Sequence, residues 1–166
     1  MKKSLLLGTL LLAGLGGCES MTEQGGRLPA GASVYRTHLG QPIARGEIRV
    51  EPSSPAAASP DFAQEEAAVG RELARLGWTV LPAKTDSEQV AVARVTQTST
   101  PGGRVATELR VRIQRRSDAT AAWEGRAQAE ARAGTPMAAR AAAVDALAQA
   151  LFRDFPGESG RTIRVR

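Results

Sequence analysis

The sequence predicts an α+β domain: an antiparallel sheet of about four strands with two helices on one face. The expected order is strand, helix, three strands, helix, with a C-terminal edge strand on offer. Two patterns carry this expectation. From Glu108 to Gln114, polar and apolar residues alternate without a break, and a second alternating run follows from Trp123 to Glu130, as in strands with one face in a core. Two other stretches repeat their apolar residues at helical spacing and are bounded by turn residues, so each has one stripe to bury.

Taken in order, Ile48 and Val50 alternate with Glu47, Arg49 and Glu51, which makes Gly46–Glu51 a half-buried strand ended by Pro52. Ser53–Pro60 is a loop of Pro, Ala and Ser. Asp61 stands where an N-cap is expected, with Gln64 three residues on as in a capping box. Phe62, Val69, Leu73 and Leu76 share one face of the helix that follows. Gly77 suits a left-handed C-cap, and Trp78 can fold back on the last turn. Val90–Thr98 is the next strand; its alternation is imperfect, so it is either buried on both sides or bulged.

Ser99–Gly103 is turn chemistry. On the third strand Val105, Thr107, Leu109, Val111 and Ile113 point one way; after a turn near Ser117-Asp118, Trp123, Gly125, Ala127 and Ala129 point inward on the fourth. Small inward residues let a helix lie close. Cross-strand charge pairing favours a hairpin register with Arg110 opposite Glu124, Glu108 opposite Arg126 and Arg104 opposite Glu130. Thr135-Pro136 opens the second helix, whose stripe is Met137, Val144, Leu147, Leu151 and Phe155, and Pro156-Gly157 stops it. Thr162–Arg166 alternates again and offers the edge strand. Val34–Leu39 is a short strand or an ordered arm.

The first residues set a different constraint. Met1-Lys2-Lys3 is followed by an apolar run, Leu5–Leu15, and then by Gly16-Gly17-Cys18. As a helix that run is about 16 Å long, short of a bilayer core of roughly 30 Å, and so reads as the apolar part of a signal peptide. Small residues before a cysteine resemble the lipobox of bacterial lipoproteins, with cleavage before Cys18 and lipid on its thiol. The expected organisation is a signal peptide at 1–17, a lipidated cysteine and flexible tether at 18–45, and one periplasmic α+β domain at 46–166. Glu19 is not the aspartate that tends to retain lipoproteins in the inner membrane. The expected location is therefore the outer membrane, facing the periplasm, with the inner membrane as the alternative.

Composition narrows the function. The formal charge is +5, and +3 once Lys2 and Lys3 leave with the signal peptide; nearly all of what remains is arginine. Export argues against nucleic acid as the partner of this basic chain. Cys18 is the only cysteine, so a lipidated chain has no thiol for a disulfide, a metal or catalysis. His38 is the only histidine, and no carboxylates cluster with metal-ligand spacing. There is no Gly-x-Ser-x-Gly elbow and no phosphate loop, since Gly102-Gly103 joins two strands. Asp145 and Asp154, nine apart on one helix, lie about 180° from each other. Trp78 and Trp123 are expected in the core. No catalytic residue, metal or cofactor is expected.

Three segments together resemble a known family. Thr107–Ile113, Ala122-Trp123-Glu124-Gly125 and Leu151–Gly157 are similar to the bacterial envelope lipoprotein domain of unknown function 4136, in which a strand leads to a Trp-x-Gly strand and then to a helix ending in Phe-Pro. With the strand–helix unit at 46–78, the likeness covers roughly the last 120 residues. It departs at the middle strands, where the family's long glycine-rich insertion is reduced to Gly102-Gly103, and at the first strand, where the family is richer in aromatic residues. The element order also resembles small accessory lipoproteins of envelope assembly machines. Because the family has no established activity, the likeness implies a fold and not a reaction.

The functional expectation is a non-enzymatic binding or accessory module of the cell envelope. It is held to the membrane by its N-terminal lipid and meets an envelope protein through an arginine-bearing sheet face around Arg110, Arg112 and Arg126 or through a sheet edge. The alternative is a binder of anionic lipid or lipopolysaccharide phosphates through the same face.

Overall fold

The computed structural model describes residues 31–165 apart from 55–57 and 59. The expected signal peptide, Cys18 and the stretch up to residue 30 lie outside the described residues, as does part of the Ser53–Pro60 loop. Along the chain the elements are β1 (Ser33–His38), β2 (Glu47–Pro52), α1 (Phe62–Arg75), β3 (Thr79–Val80), β4 (Gln89–Thr100), β5 (Arg104–Arg115), β6 (Ala121–Arg132), a single 3-10 turn (Pro136–Ala138), α2 (Arg140–Phe152) and β7 (Thr162–Arg164).

The class is α+β, as expected, with both helices on one face. The sheet is larger than expected and is mixed: seven strands in the order β3-β2-β4-β5-β6-β1-β7. β2 runs parallel to both β3 and β4, and the remaining pairings are antiparallel. The reason is α1. A chain that leaves one strand, crosses the sheet as a helix and returns beside that strand arrives pointing the same way. β4 beside β2 is therefore parallel, whereas β4, β5 and β6 are joined by tight turns and alternate in direction.

The domain also begins earlier than residue 46. β1 lies between β6 and β7, antiparallel to both, so Ser33–His38 belongs to the sheet and not to a tether. Its one inward apolar residue, Val34, is too little to advertise a strand. The second inward position is Arg36, 5 % exposed, and a buried arginine is hidden from a search for apolar alternation.

Arg36 is nevertheless the best-connected side chain of β1. Its Nε donates to the Leu151 carbonyl (2.8 Å), and its Nη2 donates to the carbonyls of Ala150 (2.9 Å) and Arg153 (2.7 Å). These are acceptors left unpaired by the end of α2, where the helix dipole also favours a cation. Burial pushes the Arg36 guanidinium below its ordinary pKa and the nearby Asp154 carboxylate holds it up. The return chain packs on the same spot. Gly160 N–H donates to the Arg36 carbonyl, and Gly157, at φ +77°, lies so close that a Cβ would sit 2.6 Å from Arg36 Cδ.

The helices follow the expected stripes with shifted ends. On α1, Phe62, Val69 and Leu73 are buried, and the C-terminus closes as expected: Trp78 N–H donates to the Leu73 carbonyl, Gly77 N–H to the Ala74 carbonyl, and Gly77 takes φ +96°. The N-terminus differs. Asp61 is already helical in backbone and its side chain makes no capping bond; the Gln64 N–H goes to the Asp61 carbonyl instead. At the second helix, Thr135-Pro136 opens only the 3-10 turn, because Ala139 is extended and α2 starts at Arg140. It stops at Phe152, ahead of Pro156-Gly157, where Arg153 leaves the helix and Asp154 takes φ +53°. Val144, Leu147 and Leu151 are fully buried as expected. Phe155 lies past the helix and turns back to meet Trp78 (5.4 Å between centroids) and Trp123 (5.1 Å). The Met137 side chain lies outside the described residues.

The β5–β6 register is not the one charge pairing favours. Arg110 stands opposite Arg126, Glu108 opposite Gln128 and Arg104 opposite Arg132, with an irregularity between Ile113 and Gln114. Packing decides it. In the observed register Trp123 pairs with Ile113, Gly125 with Val111 and Ala127 with Leu109, small against large. The Trp123 ring lies over Gly125, where a Cβ would be 2.3 Å from its edge. Burying such side chains contributes about 1.5–3 kcal/mol each, against a few tenths for an exposed charge pair. The charges lose little, since Arg104–Glu130 (2.9 Å) and Arg126–Glu108 (3.8 Å) still meet on the diagonal. The turn itself falls where expected, with Asp118 accepting from Thr120 N–H at 3.0 Å, a bond that lowers its carboxyl pKa.

β4 resolves the open choice about its pattern: Val90 and Ala91 are both buried, so its first half is covered on both sides. Trp78 and Trp123 are core residues, 4 % and 0 % exposed. Between the helices, the buried Glu65 carboxylate takes the Arg140 guanidinium and the Val95 N–H. It thereby ties α1 to the start of α2 and to β4. Burial raises the Glu65 pKa above its ordinary 4.5, more than the Arg140 hydrogen bond and charge lower it.

Three outcomes are expected. Gly125→Ala lowers unfolding free energy by about 1–3 kcal/mol, read as a lower urea midpoint. Arg36→Met strands carbonyls at the end of α2 and costs about 3 kcal/mol; Arg36→Lys, a point charge without the planar fork, recovers only part of it. For Glu65, the native state holds its proton to higher pH than the unfolded chain. Stability therefore falls as pH rises from about 4.5 through the raised native pKa. Subtracting the pH profile of Glu65→Gln from that of the wild type should leave that decline; a flat difference between pH 4 and 8 would contradict it.

Candidate functional site

The candidate site lies on the outer face of the sheet, opposite the helices. Once Leu109, Val111 and Trp123 are turned toward the core, alternation turns Glu108, Arg110 and Arg112 of β5, and Glu124 and Arg126 of β6, outward. On β1 the inward Val34 and Arg36 likewise leave Tyr35 and Thr37 outward. The three arginines singled out in the sequence are therefore brought together on one face, with side chains 45–61 % exposed.

Their arrangement follows from the register. Arg110 is directly opposite Arg126 on one side and directly opposite Arg94 of β4 on the other, and Arg126 is opposite Tyr35. The result is a row across four strands, Arg94–Arg110–Arg126–Tyr35. Directly opposed side chains stand about 5 Å apart at Cβ, and like charges so placed oppose folding. The row is only partly compensated. Glu108 is shared, 2.5 Å from Arg110 Nε and 3.8 Å from Arg126 Nε. Arg112, one row over, pairs with the facing Glu124 at 3.1 Å and donates to the Ala119 carbonyl at 3.3 Å. Arg126 also lies over the Tyr35 ring, 5.9 Å from its centroid. Arg94 is exposed and has no carboxylate within ion-pair distance among the described residues. Four guanidiniums thus face two carboxylates around an open depression of about 380 Å³, lined by Tyr35, Val92, Arg94, Arg110, Arg112 and Arg126.

Arg94 is the residue that sequence reasoning missed. Its strand was recognisable, but its place beside Arg110 depends on the β4–β5 register. The direct turn at Ser99–Gly103 was the only local clue to that register. A second depression of about 590 Å³ lies nearer the start of β1, between Gly31, Ser33, Thr98, Arg104, Glu130 and Arg164; there the opposed charges Arg104 and Glu130 neutralise each other.

The other chemistry-bearing residues have structural partners. His38 faces the Pro156 carbonyl through Nε2 (3.2 Å), and its backbone N–H donates to Ser159 Oγ (3.0 Å). Trp123 Nε1 donates to the same Pro156 carbonyl (3.1 Å). Asp145 pairs with Arg71 of α1, and Asp154 lies near Arg36. Among the described residues, no three His, Cys, Asp or Glu side chains converge as a metal site would require. What the outer face can do chemically is recognise anions. Arginine forks accept planar carboxylate or tetrahedral phosphate in two-point geometry.

Comparison with known proteins agrees on the fold and leaves the activity open. No family model matches the chain. An uncharacterized protein of Zymomonas mobilis is 44% identical over 63 residues, which cover 38% of this chain and 24% of that protein; the matched stretch is thus about a quarter of its relative's length. Among solved structures, PelC from Paraburkholderia phytofirmans, a dodecamer, is similar with a TM-score of 0.50 and 14% identity, over 73% of this chain and 96% of that one. A PDZ domain protein from Parabacteroides distasonis gives a TM-score of 0.56 at 10% identity, over 82% of this chain and 39% of that one. At such identities the likeness is one of fold alone.

Proposed function

We propose that this chain is a lipid-anchored protein of the bacterial envelope, attached through Cys18 and facing the periplasm from the outer membrane. In this reading it is a relative of the domain of unknown function 4136 lipoproteins and acts as a binding or accessory module, not as an enzyme. The observation that carries the proposal is the outer sheet face. Both helices pack on the other side, and this face presents Arg94, Arg110, Arg112 and Arg126 to solvent against Glu108 and Glu124. The His38 and Glu65 side chains, the usual means of proton transfer, are engaged with Pro156 and Arg140, which supports a binding role. The partner is an envelope protein with an acidic surface; because the similarly folded PelC is a dodecamer, self-association of this chain is a separate outcome to look for.

A second reading takes the same face as a binder of anionic lipid or lipopolysaccharide phosphates. The like-charged row favours it, because opposed arginines are stabilised by an anion between them.

Photocrosslinking in living cells separates the two readings, with p-benzoyl-phenylalanine replacing Arg112 and the adducts identified by mass spectrometry. One envelope protein recovered repeatedly is the expected result. Adducts of lipid alone favour the second reading, and no adduct at all overturns the assignment of this face as a binding surface.

A further inference from the structure

We infer that the Arg94–Arg110–Arg126 row is a binding site for a phosphomonoester group, with Arg94 and Arg110 as its principal donors. The inference rests on the reading of the outer face as the binding surface and names the chemistry that this face recognises.

Charge points to the ligand class. Arg94, Arg110, Arg112 and Arg126 set against Glu108 and Glu124 leave an excess of two positive charges around the depression. A phosphomonoester carries about −1.5 to −2 at neutral pH and matches that excess. A carboxylate or a phosphodiester, each with one negative charge, matches half of it.

Geometry points the same way. Directly opposed residues of neighbouring strands have their Cβ atoms about 5 Å apart, so the arginine side chains rise from neighbouring points, and a tetrahedral group with three free oxygens can accept from two of them at once. A planar carboxylate is satisfied by a single fork. The three arginines also differ in readiness. Arg126 is occupied by Tyr35 and by the far oxygen of Glu108, and Arg110 by the near oxygen. Arg94 has no counter-charge among the described residues. The gap between Arg94 and Arg110 is therefore the least compensated point of the face. Val92, half-buried beside it, and the Tyr35 ring at the far end of the row supply apolar surface for whatever the phosphate is esterified to.

Like charges held opposite one another lower stability in the free protein and raise it in the complex. That signature separates a binding site from a solvated basic face. The mature lipidated chain, in neutral detergent micelles at constant ionic strength, is followed by thermal unfolding. Two phosphomonoester probes are used: glycerol 3-phosphate in solution, and phosphatidic acid doped into the micelles. Phosphatidylglycerol, a phosphodiester, and acetate serve as the contrasts.

The expected result is a rise of several degrees in the unfolding midpoint with at least one phosphomonoester probe and at least a threefold smaller rise with the contrasts. A response to glycerol 3-phosphate identifies a free phosphomonoester as sufficient. A response to phosphatidic acid alone identifies a lipid headgroup as the source. Arg94→Gln should unfold at a higher temperature than the wild type without ligand and lose at least fivefold in affinity for the responding probe. Arg71→Gln, on the helix side, should keep the response.

Equal responses to phosphomonoester, phosphodiester and acetate overturn the inference, and so does an undiminished response in Arg94→Gln. No response to any probe overturns it as well. If crosslinking from position 112 still recovers a protein in that case, the outer face stands as a binding surface and only its phosphate chemistry falls. If crosslinking is also silent, both fall.

Discussion

Arg36 holds this fold in place. Its guanidinium reaches from β1 to three carbonyls around the end of α2, joining the first described strand to the last described helix across more than a hundred residues. Most strands are held by apolar side chains on one face, and β1 has only Val34 for that purpose, with Ala32 buried just before it. The charged hydrogen bonds stand in for the missing apolar area, and they are directional. They set the rotation of β1 as well as its attachment. With Arg36 turned inward, Tyr35 and Thr37 are turned outward, and Tyr35 completes the row that begins at Arg94. A buried contact on the helix side thus positions a residue of the candidate site on the other.

The same region explains the small residues at its centre. Gly125 is opposite Arg36 on one side and Val111 on the other, and the Trp123 ring and Leu151 occupy the space its side chain would fill. Gly157 yields in the same way to the Arg36 stem. Trp123, Phe152 and Phe155 then stack over the gap. The Trp-x-Gly and Phe-Pro-Gly segments, distant in sequence, are two halves of one packing unit around an arginine.

Much of this was legible in the residues. The C-terminus of α1 could be read from Gly77 and Trp78, which leave few other ways to close a helix. β5 and β6 could be read because most of their length alternates, and both tryptophans from their positions, Trp123 on the inward parity of β6 and Trp78 just past the Gly77 cap. What failed depended on contacts remote in sequence. The parallel placement of β2 follows from where α1 lies, which no local pattern encodes. The hairpin register follows from cross-strand packing of large against small, Trp123 beside Ile113, Gly125 beside Val111 and Ala127 beside Leu109, and not from the charges used to guess it. β1 was half-visible because its key inward residue is charged. Of the candidate site, the three arginines on β5 and β6 were found by strand parity alone; Arg94 required the register of a second pair of strands.

The start of β1 has a consequence for any membrane-bound form of the protein. The sheet is entered at Ser33, two residues from Tyr35 and the arginine row. If Cys18 carries lipid, the chain between them can stretch to about 50 Å at most, at roughly 3.3–3.6 Å per residue. The leash is short, so the face samples a small volume above one patch of membrane. A target held in the same membrane patch would meet it at an effective concentration in the millimolar range. Weak, fast-exchanging contacts are sufficient under those conditions, and an open, shallow row of arginines is suited to make them.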